Sequence, residues 1–240
     1  MMREVGVVLP CAGVGRRLGA DRPKQFLDLC GRPVFCWSLE RFLSHPRISQ
    51  VVLAVGAGEE ENVRALLPEV PSNLLFVPGG GERWQSVRNG VRALDAKCRQ
   101  ILVHDVARPF VRESDIDACL KGLSEADACT LAMPAVDTIK WARAGEPVVA
   151  ETLDRRRVWL TQTPQGFARS VLEACYAHDD LETMGLTDEA GLCEAFGHAV
   201  RLVPGGDHLR KITTPDDLEW ARWRAPRELG RFRDSSITDK

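Results

Sequence analysis

The sequence predicts an α/β layer fold: a mostly parallel, twisted sheet flanked by helices. Three observations carry this. Short runs rich in Val and Leu alternate with helix-period segments along most of the chain. Gly-rich or charged clusters follow several of those runs, where an α/β sheet places its ligands. One stretch, residues 137–159, breaks the rhythm.

In chain order, residues 5–9, 51–55, 74–77, 101–103, 130–133 and 200–203 read as buried strands, because each is a short apolar run. Between them, Phe35, Leu39, Phe42 and Leu43 fall on one helical face. So do Val87, Val91 and Leu94, and so do Ile116, Leu120 and Leu123. In the interrupting stretch, Thr138-Ile139-Lys140-Trp141 and Val148-Val149-Ala150-Glu151-Thr152 flank a Gly145-Glu146-Pro147 turn. This reads as a hairpin leaving the core, either an ordinary edge hairpin or an arm toward a second subunit. The organisation expected is a single domain over residues 1–225, an arm at about 137–159 and a frayed polar tail at 226–240.

The chain has 240 residues, 44% of them hydrophobic, enough for a sizeable core. Its 32 basic and 34 acidic residues nearly cancel, leaving a formal charge of −2. That balance gives no electrostatic case for nucleic acid or a membrane surface. No apolar run approaches a membrane span or a signal-peptide core, so a cytoplasmic protein is expected. The eight cysteines contain no CxxC pair, which points to buried free thiols in a reducing compartment.

Three clusters are suited to nucleotide chemistry. The first strand runs into Ala12-Gly13-Val14-Gly15-Arg16-Arg17, followed by Pro23-Lys24-Gln25. Gly13 and Gly15 allow backbone N–H groups to approach phosphate, and Arg16, Arg17 and Lys24 can carry the charge of a triphosphate. The dinucleotide fingerprint fails here because Leu18 occupies its third glycine position, and Lys24 lacks Walker A surroundings. The second cluster, Gly79-Gly80-Gly81-Glu82-Arg83-Trp84-Gln85-Ser86, opens a helix with Arg83 and Ser86 in its first turn. The third, His104-Asp105-Val106-Ala107-Arg108-Pro109, follows the strand at 101–103. Asp105 reads as a Mg²⁺ anchor or as the partner of Arg108 in an ion pair that pins the loop, and both can hold at once. Thr187-Asp188-Glu189 reads as a helix N-terminus, where acids offset the helix dipole.

Taken together, these motifs resemble the 2-C-methyl-D-erythritol 4-phosphate cytidylyltransferases of the non-mevalonate isoprenoid pathway. The resemblance runs in family order from Leu9 to about Leu218, through AGxGxR…PKQ (Ala12 to Gln25), GGxxRxxSV (Gly79 to Val87), HDxARP (His104 to Pro109), Asp137-Thr138, TPQ (Thr163 to Gln165), TDEA (Thr187 to Ala190) and Lys211-Ile212-Thr213. It implies a Rossmann-like nucleotidyltransferase fold with a protruding β-hairpin arm, and transfer of CMP from CTP to a small phosphorylated polyol with release of pyrophosphate. Arg17 and Lys24 match positions that stabilise the transition state at the α-phosphate. Ala12, Gly13 and Gly15 would cradle CTP. Gly80, Ser86 and Asp105 match the surroundings of cytosine, ribose and Mg²⁺ (or another divalent cation), with Arg83 close by. Arg108, Thr138, Arg155 and Lys211 match acceptor-binding positions, Arg155 and Lys211 also counting as catalytic. Thr138 and Arg155 lie on an arm that the family contributes to a neighbouring subunit, so a homodimer is implied.

The chain departs from the family pattern in places. Leu209-Arg210 precedes Lys211 where Asn-Ile is common, and Cys11 stands where alanine is usual, a candidate reactive thiol. A ribitol 5-phosphate cytidylyltransferase would share the nucleotide half, and a silent nucleotide-binding paralogue would not need Arg17, Lys24, Asp105 and Lys211 together.

Overall fold

The computed structural model describes residues 4–13 and 23–235. Seven strands form one sheet: β1 (Val5–Pro10), β2 (Ile48–Val55), β3 (Leu74–Pro78), β4 (Gln100–Val103), β5 (Ala128–Pro134), β8 (Trp159–Ala168) and β9 (Val200–Pro204). Their spatial order is β3-β2-β1-β4-β8-β5-β9. Only β8 runs antiparallel to its neighbours, slotted between β4 and β5. The remaining pairs are parallel. Every strand expected from an apolar run is present; β8 is the addition.

Successive strand residues face opposite sides of a sheet, and the two cores follow that alternation. Val7, Leu9, Val51 and Leu53 pack with Phe35, Leu39 and Phe42 of α1 (Val34–Ser44) and with Ile116 and Leu120 of α4 (Glu113–Gly122). Val8 and Val52 pack on the other side, with Val87 and Val91 of α3 (Arg83–Ala93). Leu172 of α5 (Arg169–Tyr176) and Leu192 of α6 (Glu189–Ala195) join them there. A short α2 (Glu60–Ala65) lies between β2 and β3.

The hairpin is separate from this sheet. Among the described residues, β6 (Lys140–Ala142) and β7 (Val149–Thr152) pair only with each other, and every residue of both is exposed. Gly145, at φ +77°, makes the turn that its lack of a side chain permits.

The expected frayed tail is corrected in part. Helix α7 (Pro215–Ser235) continues through Pro226. Leu218, Ala221 and Ala225 pack on Trp37 and Phe110, whose rings meet edge-on at 5.4 Å. Glu228, buried, binds Arg112 at 2.9 Å and Arg224 at 3.0 Å. These contacts lie on one face of a helix whose other face is polar, which is why composition alone read as a tail. Among the described residues, no helix is long and apolar enough to cross a membrane.

Candidate active site

The carboxyl ends of β1, β3 and β4 open onto a cavity of about 470 Å³. Its walls include Ala12 and Gly13, Lys24 and Gln25, Gly80, Arg83 and Ser86, Asp105, and Lys211. The structure therefore brings together most of the residues singled out from three distant motifs. Gly15, Arg16 and Arg17 lie outside the described residues.

Each wall has a local cause. Gln25, 3% exposed, donates through Nε2 to the carbonyls of Cys11 (2.8 Å) and Gly13 (2.7 Å), holding the backbone after β1. The sequence reading gave Gln25 no role, although its place beside Lys24 was visible. Gly79 passes so close to the first loop that a Cβ would come within 2.3 Å of that of Ala12. Only glycine fits there. The Gly80 N–H donates to Ser86 Oγ at 3.0 Å, so the serine shapes the turn that it was expected to serve. Lys24 Nζ donates to the Ile212 carbonyl at 3.0 Å, beside Lys211. Two lysines from opposite ends of the chain thus reach one cavity.

Asp105 lies at the centre of the charged groups. Arg83 Nε meets its Oδ1 at 3.0 Å and Lys211 Nζ meets its Oδ2 at 2.6 Å. These cations hold its carboxyl well below the usual carboxylate range despite burial. The ion pair with Arg108 does not match this arrangement. The Arg108 guanidinium turns instead to the carbonyls of Leu209 (2.7 Å) and Thr161 (3.3 Å). Both carboxylate oxygens of Asp105 already face cations, so a Mg²⁺ ion held there would have to share or displace them.

The loop that carries Asp105 is fixed from behind. The Asp105 N–H donates to Thr163 Oγ1 at 3.1 Å, so the threonine hydroxyl is free to donate to His104 Nδ1, 3.0 Å away. The carbonyl of Arg108, 3.0 Å from His104 Nε2, can only accept, which places the histidine's proton on that nitrogen. Burial lowers the His104 pKa to about 4, so the ring is neutral and structural.

Behind Arg83 sits Glu189, 1% exposed, whose two oxygens lie 2.8 and 2.6 Å from Arg83 Nη1. Glu189 begins α6, whose N-cap Asp188 accepts from the Gly191 N–H. Gln165 of β8 binds Asp188 Oδ2 and the Ala190 N–H, tying the helix start to the sheet. The dipole reading of Thr187-Asp188-Glu189 found this helix start but missed the inward carboxylate.

A second cavity, of about 510 Å³, continues past Lys211 and is walled by Arg108, Thr161, Gln162, Arg210 and Arg224. Thr138 and Arg155 line neither of these cavities. Thr138 is exposed, and Arg155 donates to the Val136 carbonyl at 2.6 Å. Cys11 is not the reactive thiol expected: it is 2% exposed in the apolar core, and burial pushes its thiol well above the ordinary range.

A cation-lined cavity at the carboxyl edge of a mostly parallel sheet fits a polyphosphate ligand, and comparison with known proteins adds the family. Residues 5–224 match the family 2-C-methyl-D-erythritol 4-phosphate cytidylyltransferase. The chain belongs to it. The 2-C-methyl-D-erythritol 4-phosphate cytidylyltransferase of Bacillus velezensis is 42% identical over 223 residues, covering 91% of this chain and 94% of that one. Among solved structures, the 4-diphosphocytidyl-2C-methyl-D-erythritol synthase of Anaerococcus prevotii aligns at a TM-score of 0.82 and 26% identity. That match covers 93% of this chain and 96% of the other. The Thermus thermophilus cytidylyltransferase aligns at 0.75 and 32%, covering 93% and 99%. The family match spans the described sheet, the arm and the first part of α7.

Proposed function

We propose that this protein transfers CMP from CTP to 2-C-methyl-D-erythritol 4-phosphate, giving 4-diphosphocytidyl-2-C-methyl-D-erythritol and pyrophosphate in isoprenoid precursor synthesis. The observation that carries the reading is the meeting of Lys24, Lys211, Arg83 and Asp105 at the glycine-walled cavity beyond β1, β3 and β4, in a chain of this family. An acceptor phosphate oxygen already carries negative charge, so attack on the α-phosphorus needs no strong general base. Alignment and neutralisation of charge suffice. The Ala12 and Gly13 backbone, with Gly80 and Ser86, receives the nucleotide. Lys24 stands where it neutralises the phosphates, and Lys211 stands between the two cavities, where the acceptor phosphate meets CTP. Arg17 belongs to the same proposal from the family pattern alone.

Mg²⁺ or another divalent cation is proposed to arrive with the triphosphate. Magnesium is commonly held through substrate phosphates, and Asp105 is already occupied by Arg83 and Lys211. The arm is proposed to pair with a second copy of the chain, which would receive Thr138 and Arg155. Its exposed Trp141, Val148 and Val149 support that reading. The absence of disulfides among eight cysteines supports a reducing, cytoplasmic setting.

The test is pyrophosphate release from CTP with Mg²⁺, comparing methylerythritol 4-phosphate, ribitol 5-phosphate and no acceptor. Release with methylerythritol phosphate alone is expected. Release with ribitol phosphate alone would reassign the acceptor, and release with neither would overturn the enzyme reading.

A further inference from the structure

Four side chains alternate in charge from the interior to the edge of the cavity: Glu189, Arg83, Asp105 and Lys211. Glu189 and Arg83 meet at 2.6 Å, Arg83 and Asp105 at 3.0 Å, and Asp105 and Lys211 at 2.6 Å. Glu189 does not line the cavity, whereas the other three do. Three elements hold it in place. Tyr176, at the end of α5, donates its hydroxyl to Oε1 at 3.2 Å. Asp188 caps α6, and Gln165 of β8 grips the first turn of that helix.

We propose that Glu189 is a positioning residue that sets, through Arg83 and Asp105, where the Lys211 ammonium stands for the acceptor phosphate. The inference rests on the cytidylyl-transfer reading. Its logic is competition for one carboxylate. Glu189 takes the Arg83 Nη1, so that Arg83 turns only Nε toward Asp105 and leaves Oδ2 to Lys211. Without the negative charge at Glu189, the full charge of Arg83 falls on Asp105. In the poorly hydrated interior that attraction is strong, and it draws the carboxylate away from Lys211. Lys211 itself is one-third exposed, so its place depends on this partner more than on packing.

A double-mutant cycle in the full-length enzyme tests this, with the wild type assayed first for pyrophosphate release from CTP and methylerythritol 4-phosphate. An inactive wild type would defeat the cytidylyl-transfer reading itself, and this proposal with it. With an active wild type, Glu189→Gln is expected to raise the acceptor KM by about tenfold or more. The CTP-induced thermal shift should change little. In a Lys211→Met background the same substitution should cost less than about threefold, because residues acting as one unit are not additive. Equal losses in both backgrounds, or a loss of thermal stability with unchanged acceptor KM, would make Glu189 merely structural and overturn the proposal. Should Glu189→Gln fail to fold, Glu189→Asp keeps the charge but withdraws it by one methylene, and the same cycle decides with the same outcomes.

Discussion

The cavity and the arm of this protein treat charge in opposite ways. At the cavity, Asp105, Arg83 and Glu189 are largely buried and bound to one another, and the backbone around them is tied to β8 and α6. On the arm, Arg156 pairs with Asp154 two residues away, Lys140 reaches Thr152 across the hairpin, and all of these groups stay exposed. A two-stranded ribbon has little stability of its own, and among the described residues β6 and β7 have no third strand and stay exposed. The difference teaches that one site can be built in two manners. The cavity binds its charged walls to one another across several elements of the chain, while the arm leaves its charged groups exposed.

The largest expected effect lies at the cavity. Lys24→Ala should lower kcat by roughly 100- to 1,000-fold, the range seen when one pre-organised donor to a developing charge is removed. CTP affinity, read by thermal shift, should fall far less. An equal loss in both quantities would make Lys24 a ground-state binder and blunt the contrast between the bound charges of the cavity and the exposed ones of the arm.

A second prediction concerns acid. His104 is fully buried, with a pKa lowered to about 4 from an ordinary value near 6.5. Between those values the unfolded chain takes up a proton that the folded one refuses. Stability must therefore fall as pH drops from about 6.5 toward 4, by up to about 3 kcal/mol from this group. Asp105, held low by its cations, adds a loss at still lower pH in the same direction. Denaturant unfolding across this range should show the slope, and His104→Gln should flatten it by one proton while lowering stability at neutral pH. A slope unchanged in the variant would mean that His104 is not the buried neutral ring described above.

How much of this was legible in the sequence depends on what each residue buries. The six strands read from apolar runs are all in the sheet, because hydrophobic burial writes itself into composition. β8 was missed because its buried positions include Gln162, Thr163 and Gln165, and Pro164 interrupts the run. Polar side chains go inside there because each has a partner: Thr163 with His104 and Asp105, Gln165 with Asp188 and Ala190. The cavity was legible as motifs after strands, and the fold joins Ala12, Gly80 and Asp105 as their placement implied, with Lys211, which only the family resemblance had singled out. What each charge does was not legible. The partners of Asp105 lie 22 and 106 positions away, so local reading paired it with Arg108 instead. Helix α7 was hidden for the opposite reason, its few apolar contacts being diluted by a polar outer face.

The smallest predicted effect falls on the arm, and it separates the two halves most directly. Arg155 lines neither described cavity of its own chain, and its guanidinium donates to the Val136 carbonyl at the base of the arm. If a neighbouring copy uses it, Arg155→Ala should raise the acceptor KM by about tenfold, the scale of about 1.4 kcal/mol for a lost charge-assisted contact. The CTP-induced thermal shift and the unfolding midpoint should be nearly unchanged, since an exposed side chain away from the core contributes little to stability. The same substitution should also spare the intrachain network at Asp105. A selective loss of CTP binding would place Arg155 with the nucleotide and remove the division of labour argued above. Unchanged kinetics would leave the arm with a purely architectural role.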